Sequence, residues 1–494
     1  MNYIGLSSGF HDAAVSIIDQ SGNILFAGHS ERYSKQKHDK ELCGSALYDA
    51  LHYIADDYEV HYYEKPWLKT LRQIRSGEGF NYKNMFARNI IGQSNMCMLD
   101  NKTITTHSHH LSHAAAGFQT SPFDDATVVI IDAIGEFETI TIWDATYNNT
   151  GKAVYKKLWS KRYPNSIGLF YSAMTKRVGL RPLDEEYILM GMAAYGDDRH
   201  YAKMHTELIS DSSELSFNEN LHIGVPDNFL KGADDMDIAA SSQMLVEELI
   251  QNVILKARVL GCSNNLVYGG GVALNCLANR NLNRHFSNIW IMPNPGDAGS
   301  SLGAAAMGLG RKIHWKDAYL GYNITGPYPV NELLKELIVG NIVGVASGRA
   351  EFGPRALGNR SLLADPRGPH IKDRVNEIKR RQQFRPFAPV ILEEYADQYF
   401  NMSGSSSDNR YMQFIATCRN PELFPAIVHR DGTSRVQTVP NDGSGIRKLL
   451  EMWFIETGCP MLLNTSLNIR GEPMVNDRTD AERFEKLYGV RVLS

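Results

Sequence analysis

Residues 126–159 read ATVVIIDAIGEFETITIWDATYNNTGKAVYKKLW: three runs rich in Val, Ile and Thr, broken by Gly turns at 132–136 and 148–151. Runs of this kind bounded by turn residues predict strand, turn, strand, turn, strand. The same grammar stands at residues 2–30, in YIGLSS, AAVSIIDQSG and ILFAGHS. Two copies of one unit, each followed by helical sequence, predict a duplicated α/β domain with a cleft between its halves.

The actin-like and sugar-kinase ATPases are built in this way. Small residues at their tight turns let backbone N–H groups approach a nucleotide's phosphates. His11 and Asp12 fall in the first such turn and Asp132 in the second. Residues 44–92, between the copies, read as helical, and the aromatic and basic residues 58–75 suit a solvated helix or an acceptor surface. After the second copy, residues 166–196 predict two packed helices, residues 238–260 a third, and residues 264–268 a buried strand. That strand runs into GGGVALN at 269–275, a glycine cluster that leaves room for adenosine or phosphate against a helix N-terminus. A strand at 289–292 leads to PNPGDAGSSLGAA, which places Asp297 in a glycine-flanked loop before a helix.

The stretch HSHHLSHAAAGF, residues 107–118, adds metal chemistry. On a helix, side chains four apart share a face, so His109 and His113 can converge on one ion, whereas His110 lies about 100° away. A zinc-protease motif would need Glu after the first His, and His110 stands there. With Asp132 and Asp297 at strand ends, the pair would make a mixed nitrogen and oxygen site suited to iron(II), manganese or zinc.

At 494 residues, 43% apolar and 21% charged, the chain has room for two or three domains. Its 51 basic and 55 acidic residues nearly balance, which gives no global sign of nucleic-acid or membrane binding. The opening MNYIGLSSGFHDAA is no secretory leader, there is no long apolar run, and the six cysteines are scattered without CxxC. Those features fit a cytoplasmic protein with reduced thiols. Residues 310–340 read as a helical connector. Beyond it, residues 349–385 carry ten Lys or Arg against four acids, interleaved with Gly, Pro, Phe and Leu. Cations buried in this way call for anionic partners, and phosphate suits Arg forks.

Taken in order, GLSSGFHDAAVSIID, SERYSKQKHD, HHLSHAAAGF, DAIGE, EEYILMGMAAYG, GGGVALNC, PGDAGSSLGAA, GRAEFGPRALGNRSLLADPR, FRPFAP, HRDGTSRVQTV and NTSLN span nearly the whole chain. Through them the protein resembles the O-carbamoyltransferases of the nodulation protein U and cephamycin carbamoyltransferase type. The resemblance implies an actin-like (ASKHA) N-terminal domain over 1–312, a connector over 313–335, and a YrdC-like α/β domain over 336–494. It implies that carbamoyl phosphate and ATP, with Mg²⁺ or Mn²⁺, form carbamoyl-adenylate, whose carbamoyl group passes to the hydroxyl of a small-molecule or sugar acceptor. His109, His113, Asp132 and Asp297 then correspond to iron(II) ligands and His11 to the group that takes the acceptor's proton, with Lys37 facing the adenylate. Nucleotide and phosphate contacts are expected from Glu136, Gly269, Gly270, Gly271, Val272 and Asn275, and in the second domain from Arg349, Arg355, Lys379, Arg381 and Arg385 with His429, Arg435, Asn464 and Ser466. Ile188 and Ala133 depart from the family's usual Lys and Gly. A tRNA threonylcarbamoyl transferase-like enzyme and a catalytically silent nucleotide-binding partner are the alternatives. The acceptor and the oligomeric state, a homodimer included, stay open.

Overall fold

The computed structural model describes residues 1–55, 57–402 and 409–494. The chain forms two compact units, one of Met1–Ser30 with His38–Lys316 and one of Glu31–Lys37 with Asp317–Ser494.

The first unit contains the duplication. One five-stranded sheet runs in the order Ile24–His29, Ala14–Asp19, Asn2–Ser7, Tyr58–Tyr62, Ile104–Thr106. The other runs Ala153–Arg162, Glu138–Tyr147, Asp125–Ile131, Asn265–Gly269, Asn288–Trp290. In each, three antiparallel strands are extended by two parallel ones, in the same order. This is the actin-like plan expected from the paired strand–turn–strand units.

Two helices rich in small residues lie at the centre of this unit: His109–Thr120, almost wholly buried, and Gly299–Leu309. A Cβ on Gly303 would stand 1.8 Å from the Ser112 carbonyl oxygen, and one on Gly5 1.8 Å from that of Ser301. Backbones touch there, so the second helix can sit against both its neighbouring helix and the Asn2–Ser7 strand only because side chains are missing. On its other face the His109–Thr120 helix presses Ala114 and Phe118 onto Val128, Ile130 and Val267. Burying a side chain the size of Phe118 stabilises by about 1.5–3 kcal/mol, and this face fixes how the histidines project.

The second unit is built on a six-stranded mixed sheet ordered Gln437–Val439, Ala388–Leu392, Met461–Ser466, Arg360–Ala364, Val343–Ala346, Val492–Leu493. Helices Val330–Ile338 and Gly445–Thr457 contribute Leu333, Leu337, Leu449 and Trp453 to one core around it, with Val345 and Leu363. A second core gathers Phe400, Ile427, Leu463 and Phe484.

Three expectations change. Residues 44–92 are not wholly helical, because Tyr58–Tyr62 is a strand between two parallel neighbours. Its YEVHY does alternate apolar and polar residues, but over only five positions, too short a run to stand out from the helical sequence around it. Residues 313–335 are not a bare connector: Tyr319–Ile324 pairs with Gly348–Glu351, and the Val330–Ile338 helix packs on the second sheet's core. The helix after GGGVALN is a single turn, Cys276–Asn279, preceded by a 3-10 turn over Gly271–Leu274.

Candidate functional site

His109 and His113 stand one helical turn apart with their Nε2 atoms 3.1 Å from each other. Asp132, just past the Asp125–Ile131 strand, brings Oδ2 to 3.0 Å from His109 Nε2 and 3.6 Å from His113 Nε2. Asp297, in the loop before the Gly299–Leu309 helix, brings Oδ1 to 3.4 and 3.3 Å from the same atoms. One donor atom from each residue lies within 4.8 Å of all the others, and all four residues are buried. Atoms bound at about 2.1 Å in a tetrahedral site stand about 3.4 Å apart, so these spacings fit one cation. His110 is outside the group, with Nδ1 against Thr141 Oγ1 at 2.9 Å.

Charge makes the same point. Burial opposes ionisation of Asp132 and Asp297, yet the facing histidines hold both carboxyls below their ordinary range. Burial also opposes the charge on His109 and His113, and the two carboxylates overcome it and push both imidazoles up. Two buried carboxylates facing two imidazoles form a donor set in which a cation would replace the imidazolium protons.

Surrounding groups orient this set. His113 Nδ1 meets Ser300 Oγ at 3.0 Å, and the Gly271 N–H donates to Asp132 Oδ1 at 3.1 Å. Glu64, 2% exposed, lies with Oε2 3.7 Å from His109 Nδ1 and Oε1 2.9 Å from Lys69 Nζ. Glu136 Oε1 accepts the backbone N–H groups of His109 and Lys65 at 3.0 and 2.9 Å, which places a carboxylate at the start of the histidine helix.

His11 reaches the group by Nε2, 3.8 Å from Asp297 Oδ2, while its Nδ1 meets Asp12 Oδ2 at 2.9 Å. Asp12 Oδ1 meets His38 Nδ1 at 2.7 Å, and His38 Nε2 meets Asp184 Oδ1 at 2.9 Å. The result is a chain of alternating acids and imidazoles from Asp184 to Asp297. Burial works against a charged His11, but Asp297 and then Asp12 push its pKa up to about 9. The near-neutral value expected of an isolated imidazole therefore does not hold here. Lys37 is half-buried in the segment that belongs to the second unit.

The glycine cluster adjoins Asp132. Gly270 has φ 87°, and a Cβ there would stand 2.2 Å from the Ile131 carbonyl oxygen; on Gly271 it would meet Asp132 Oδ1 at 3.1 Å. Close approach to the neighbouring strand thus demands Gly270 whatever ligand is bound. Gly269 and Val272 flank it, and Asn275 exchanges amide hydrogen bonds with Gln243 at 3.1 Å each way. Ile188 is a buried core residue of the Glu186–Met192 helix.

In the second unit the expectation that buried cations need anionic partners fails for the two most buried. Arg360 donates to the carbonyls of Asn476, Ser347, Gly348, Asn359 and Tyr322. Lys379 donates from Nζ to the carbonyls of Ser466 and Asn468 and to their side-chain oxygens. Carbonyl dipoles can disperse a cation's charge without a counterion. Lys379 is thus already saturated, with Ser466 as its partner, and burial followed by Arg381 and Arg385 holds its pKa well below the usual lysine range. Arg349 donates to the carbonyls of Leu320 and Gly321, and Arg381 to Asn376 Oδ1 and the Pro386 carbonyl, with its guanidinium 4.2 Å above the Phe387 ring. Arg355 and Arg385 are half-buried, and His429 Nδ1 accepts the Arg430 N–H at 3.0 Å. Arg435 Nε and Asn464 Oδ1 are buried and form no hydrogen bond among the described residues.

Sequence reasoning missed His38, Glu64, Lys69 and Ser300. His38 lay in the motif SERYSKQKHD and Ser300 in PGDAGSSLGAA, whereas Glu64 and Lys69 lay in none of the motifs. Among the described residues, no helix is long and apolar enough to cross a membrane.

Residues 2–306 match the family model of the carbamoyltransferase N-terminus and residues 334–494 that of the carbamoyltransferase C-terminus. An uncharacterised protein of Synechocystis is 32% identical, over 97% of this chain and 93% of its own. Nodulation protein NolNO of Sinorhizobium fredii is 30% identical, over 97% of this chain and 77% of its own. The 3'-hydroxymethylcephem-O-carbamoyltransferase of Amycolatopsis lactamdurans is 30% identical, over 78% of each chain. The chain belongs to the carbamoyltransferase family, of the nodulation-protein and cephem O-carbamoyltransferase type, and is a transferase enzyme.

Proposed function

We propose that the protein is an ATP-dependent O-carbamoyltransferase that works in two steps. In the second unit, water takes the phosphoryl group of carbamoyl phosphate, and the carbamate formed attacks the α-phosphorus of ATP. Pyrophosphate leaves and carbamoyl-adenylate remains. In the first unit an acceptor hydroxyl attacks the carbamoyl carbon and AMP leaves. The observation that carries this reading is the buried convergence of His109, His113, Asp132 and Asp297 in a chain whose two parts match the two carbamoyltransferase domains.

The donor set of two imidazoles and two carboxylates suits iron(II), with manganese or zinc as further candidates. A cation held there would act as a Lewis acid toward the adenylate's oxygens. Asp132 and Asp297 keep their charge by facing the histidines, and Ser300 and Glu64 fix the outer nitrogens of the two rings. His11 can take the hydroxyl's proton only when the pull of Asp297 on its own proton is offset, and Asp12 and His38 hold its ring in place meanwhile. The glycine turn at 269–271 is the candidate nucleotide contact beside Asp132. Arg435, whose Nε lacks an acceptor, is the phosphate contact favoured in the second unit, whereas Asn464 Oδ1 is an acceptor and would face a donor such as the carbamate NH₂; Mg²⁺ or Mn²⁺ would accompany ATP there.

Exchange of labelled pyrophosphate into ATP tests the reading. Exchange that depends on carbamoyl phosphate is expected; none in metal-loaded protein would overturn it.

A further inference from the structure

A cavity of about 830 Å³ opens in the first unit, bounded by the Pro66–Ser76 helix, by Ser108 and by the ends of the Glu138–Tyr147 and Ala153–Arg162 strands. That volume suits a ligand of drug or sugar-nucleotide size. It adjoins the metal-binding helix directly, since Ser108 is that helix's N-cap and Glu136, on the cavity wall, accepts the His109 N–H at 3.0 Å.

The lining is strongly basic. Lys65, Arg72, Arg75, Lys157 and Arg162 face two carboxylates, Glu136 and Glu138. Lys157 is paired with Glu138 at 2.6 Å, and Arg72 Nη1 with Glu78 at 2.8 Å. Glu136 is occupied by two backbone N–H groups. Lys65, Arg75 and Arg162 form no side-chain hydrogen bond or ion pair among the described residues, so these three cations are unpaired and, with the Glu136 carboxylate counted, two positive charges stand in excess around one cavity. Arg72 is 4% exposed, and its Nε is buried without a partner although the residue lines the cavity. Scattered surface cations are ordinary. Three unpaired ones around a concave site, with a buried guanidinium short of an acceptor, form an anion receptor. Tyr163, under the Arg72 guanidinium at 5.6 Å, adds a flat wall for a ring.

We propose that this cavity holds the acceptor, and that the acceptor is a hydroxyl compound carrying phosphate, such as a sugar phosphate or a sugar linked to a nucleoside diphosphate. The inference rests on the transfer reaction proposed above and names its substrate class. Phosphate oxygens would occupy Arg75, Arg162 and Lys65 at the mouth, leaving the hydroxyl toward the Ser108 and Glu136 wall beside the metal group. A neutral sugar would leave the cations unpaired, and an aminated one would be repelled.

The test uses the full chain loaded with iron(II). Binding of glucose, glucosamine, glucose 6-phosphate and uridine diphosphate-glucose is measured by titration calorimetry at low and high salt. Both phosphorylated probes should bind at least ten-fold tighter than the other two and weaken as salt screens the contacts. The stronger of the two tells a monophosphate acceptor from a diphosphate-linked one. Arg75→Ala with Arg162→Ala should cost about ten-fold or more in affinity for them, from the range of charge-assisted bonds, and Arg162→Lys should recover part of what Arg162→Ala loses. Both arginines are exposed, and the salt arm needs no variant. Equal affinity for all four probes, or binding indifferent to the arginine variants, overturns the proposal. So does displacement of the phosphorylated probes by AMP alone, which would make the cavity part of the nucleotide site. So does tight arginine-dependent binding of tRNA without binding of either sugar phosphate. Failure of wild-type carbamoyl-phosphate-dependent pyrophosphate exchange would remove the parent reaction; exchange without probe binding removes only this inference.

Discussion

Glu64→Gln isolates one buried carboxylate behind a metal-binding imidazole. Glu64 is 2% exposed; burial opposes its ionisation, but Lys69 and then His109 hold its pKa below the ordinary value, so it is charged at neutral pH. Its Oε2 faces His109 Nδ1 at 3.7 Å, and that nitrogen is buried with no hydrogen bond of its own. When Nε2 gives its lone pair to a cation, Nδ1 must keep the ring's proton, and a facing carboxylate raises the ring's basicity. Glutamine preserves the shape and removes the charge. Losses of such partners cost about 10- to 100-fold in metal affinity, or about 1.4–2.7 kcal/mol at 1.36 kcal/mol per decade. The variant also strips Lys69, 13% exposed, of its partner, so a loss of stability is expected alongside. Glu64→Gln with Lys69→Met separates the two effects, because removing both charges should restore much of the stability and none of the affinity. Anaerobic competition with a chromogenic chelator reads affinity and thermal unfolding reads stability. Affinity within two-fold of wild type in both variants would refute the coupling of Glu64 to the site through His109.

The repeated strand–turn–strand units and the histidine pair were legible because each is local: alternating runs between Gly turns, and two rings four residues apart on one helix. Asp132 and Asp297 could be named as well, since strand ends point into α/β clefts. Tyr58–Tyr62 was passed over because its alternation lasts only five residues inside a stretch that otherwise reads as helical. Glu64, next to it, went unseen for a different reason: its function depends on a three-dimensional approach to His109 that no spacing encodes. The basic run at 349–385 misled in the opposite way. Charge density in sequence does not tell a phosphate from a carbonyl as partner, and Arg360 and Lys379 are saturated by carbonyl oxygens of segments far along the chain. The first unit's basic cavity draws its cations from residues 65–75, read from sequence as a solvated helix or an acceptor surface, and from residues 157–162, whose approach to them no spacing encodes.

Other outcomes follow from the same geometry. His113→Ala should lose the iron that anaerobically purified wild-type protein retains, as read by metal analysis; full metal content in the variant would contradict the ligand set. Lys379→Met should lower the second unit's melting temperature by about 3–12 °C, from about 1.5–3 kcal/mol for a charged donor and about 2–4 °C per kcal/mol for a unit of this size; a specific loss of pyrophosphate exchange at unchanged melting temperature would instead favour a phosphate contact. His11→Asn should depress transfer relative to adenylation by about 10²- to 10⁴-fold, read by comparing carbamoylated product with pyrophosphate exchange; equal loss of both would refute the division of labour. The pH dependence of stability gives a last test. His11 has a folded-state pKa of about 9, raised above the ordinary 6.5, so its contribution is fully present below pH 6.5 and is lost as pH rises toward 9. His109 and His113 are raised in the same direction. Metal-free protein should therefore melt at falling temperature between pH 6.5 and 9. A cation on Asp132 and Asp297 removes the main cause of the His109 and His113 shifts, weakens that of His11, which keeps Asp12, and requires neutral imidazoles at His109 and His113, so its binding must release protons and tighten with pH over that window. Metal-loaded protein should accordingly lose less stability there, and a melting curve whose pH dependence is the same with and without iron would show that the four residues do not share one ion.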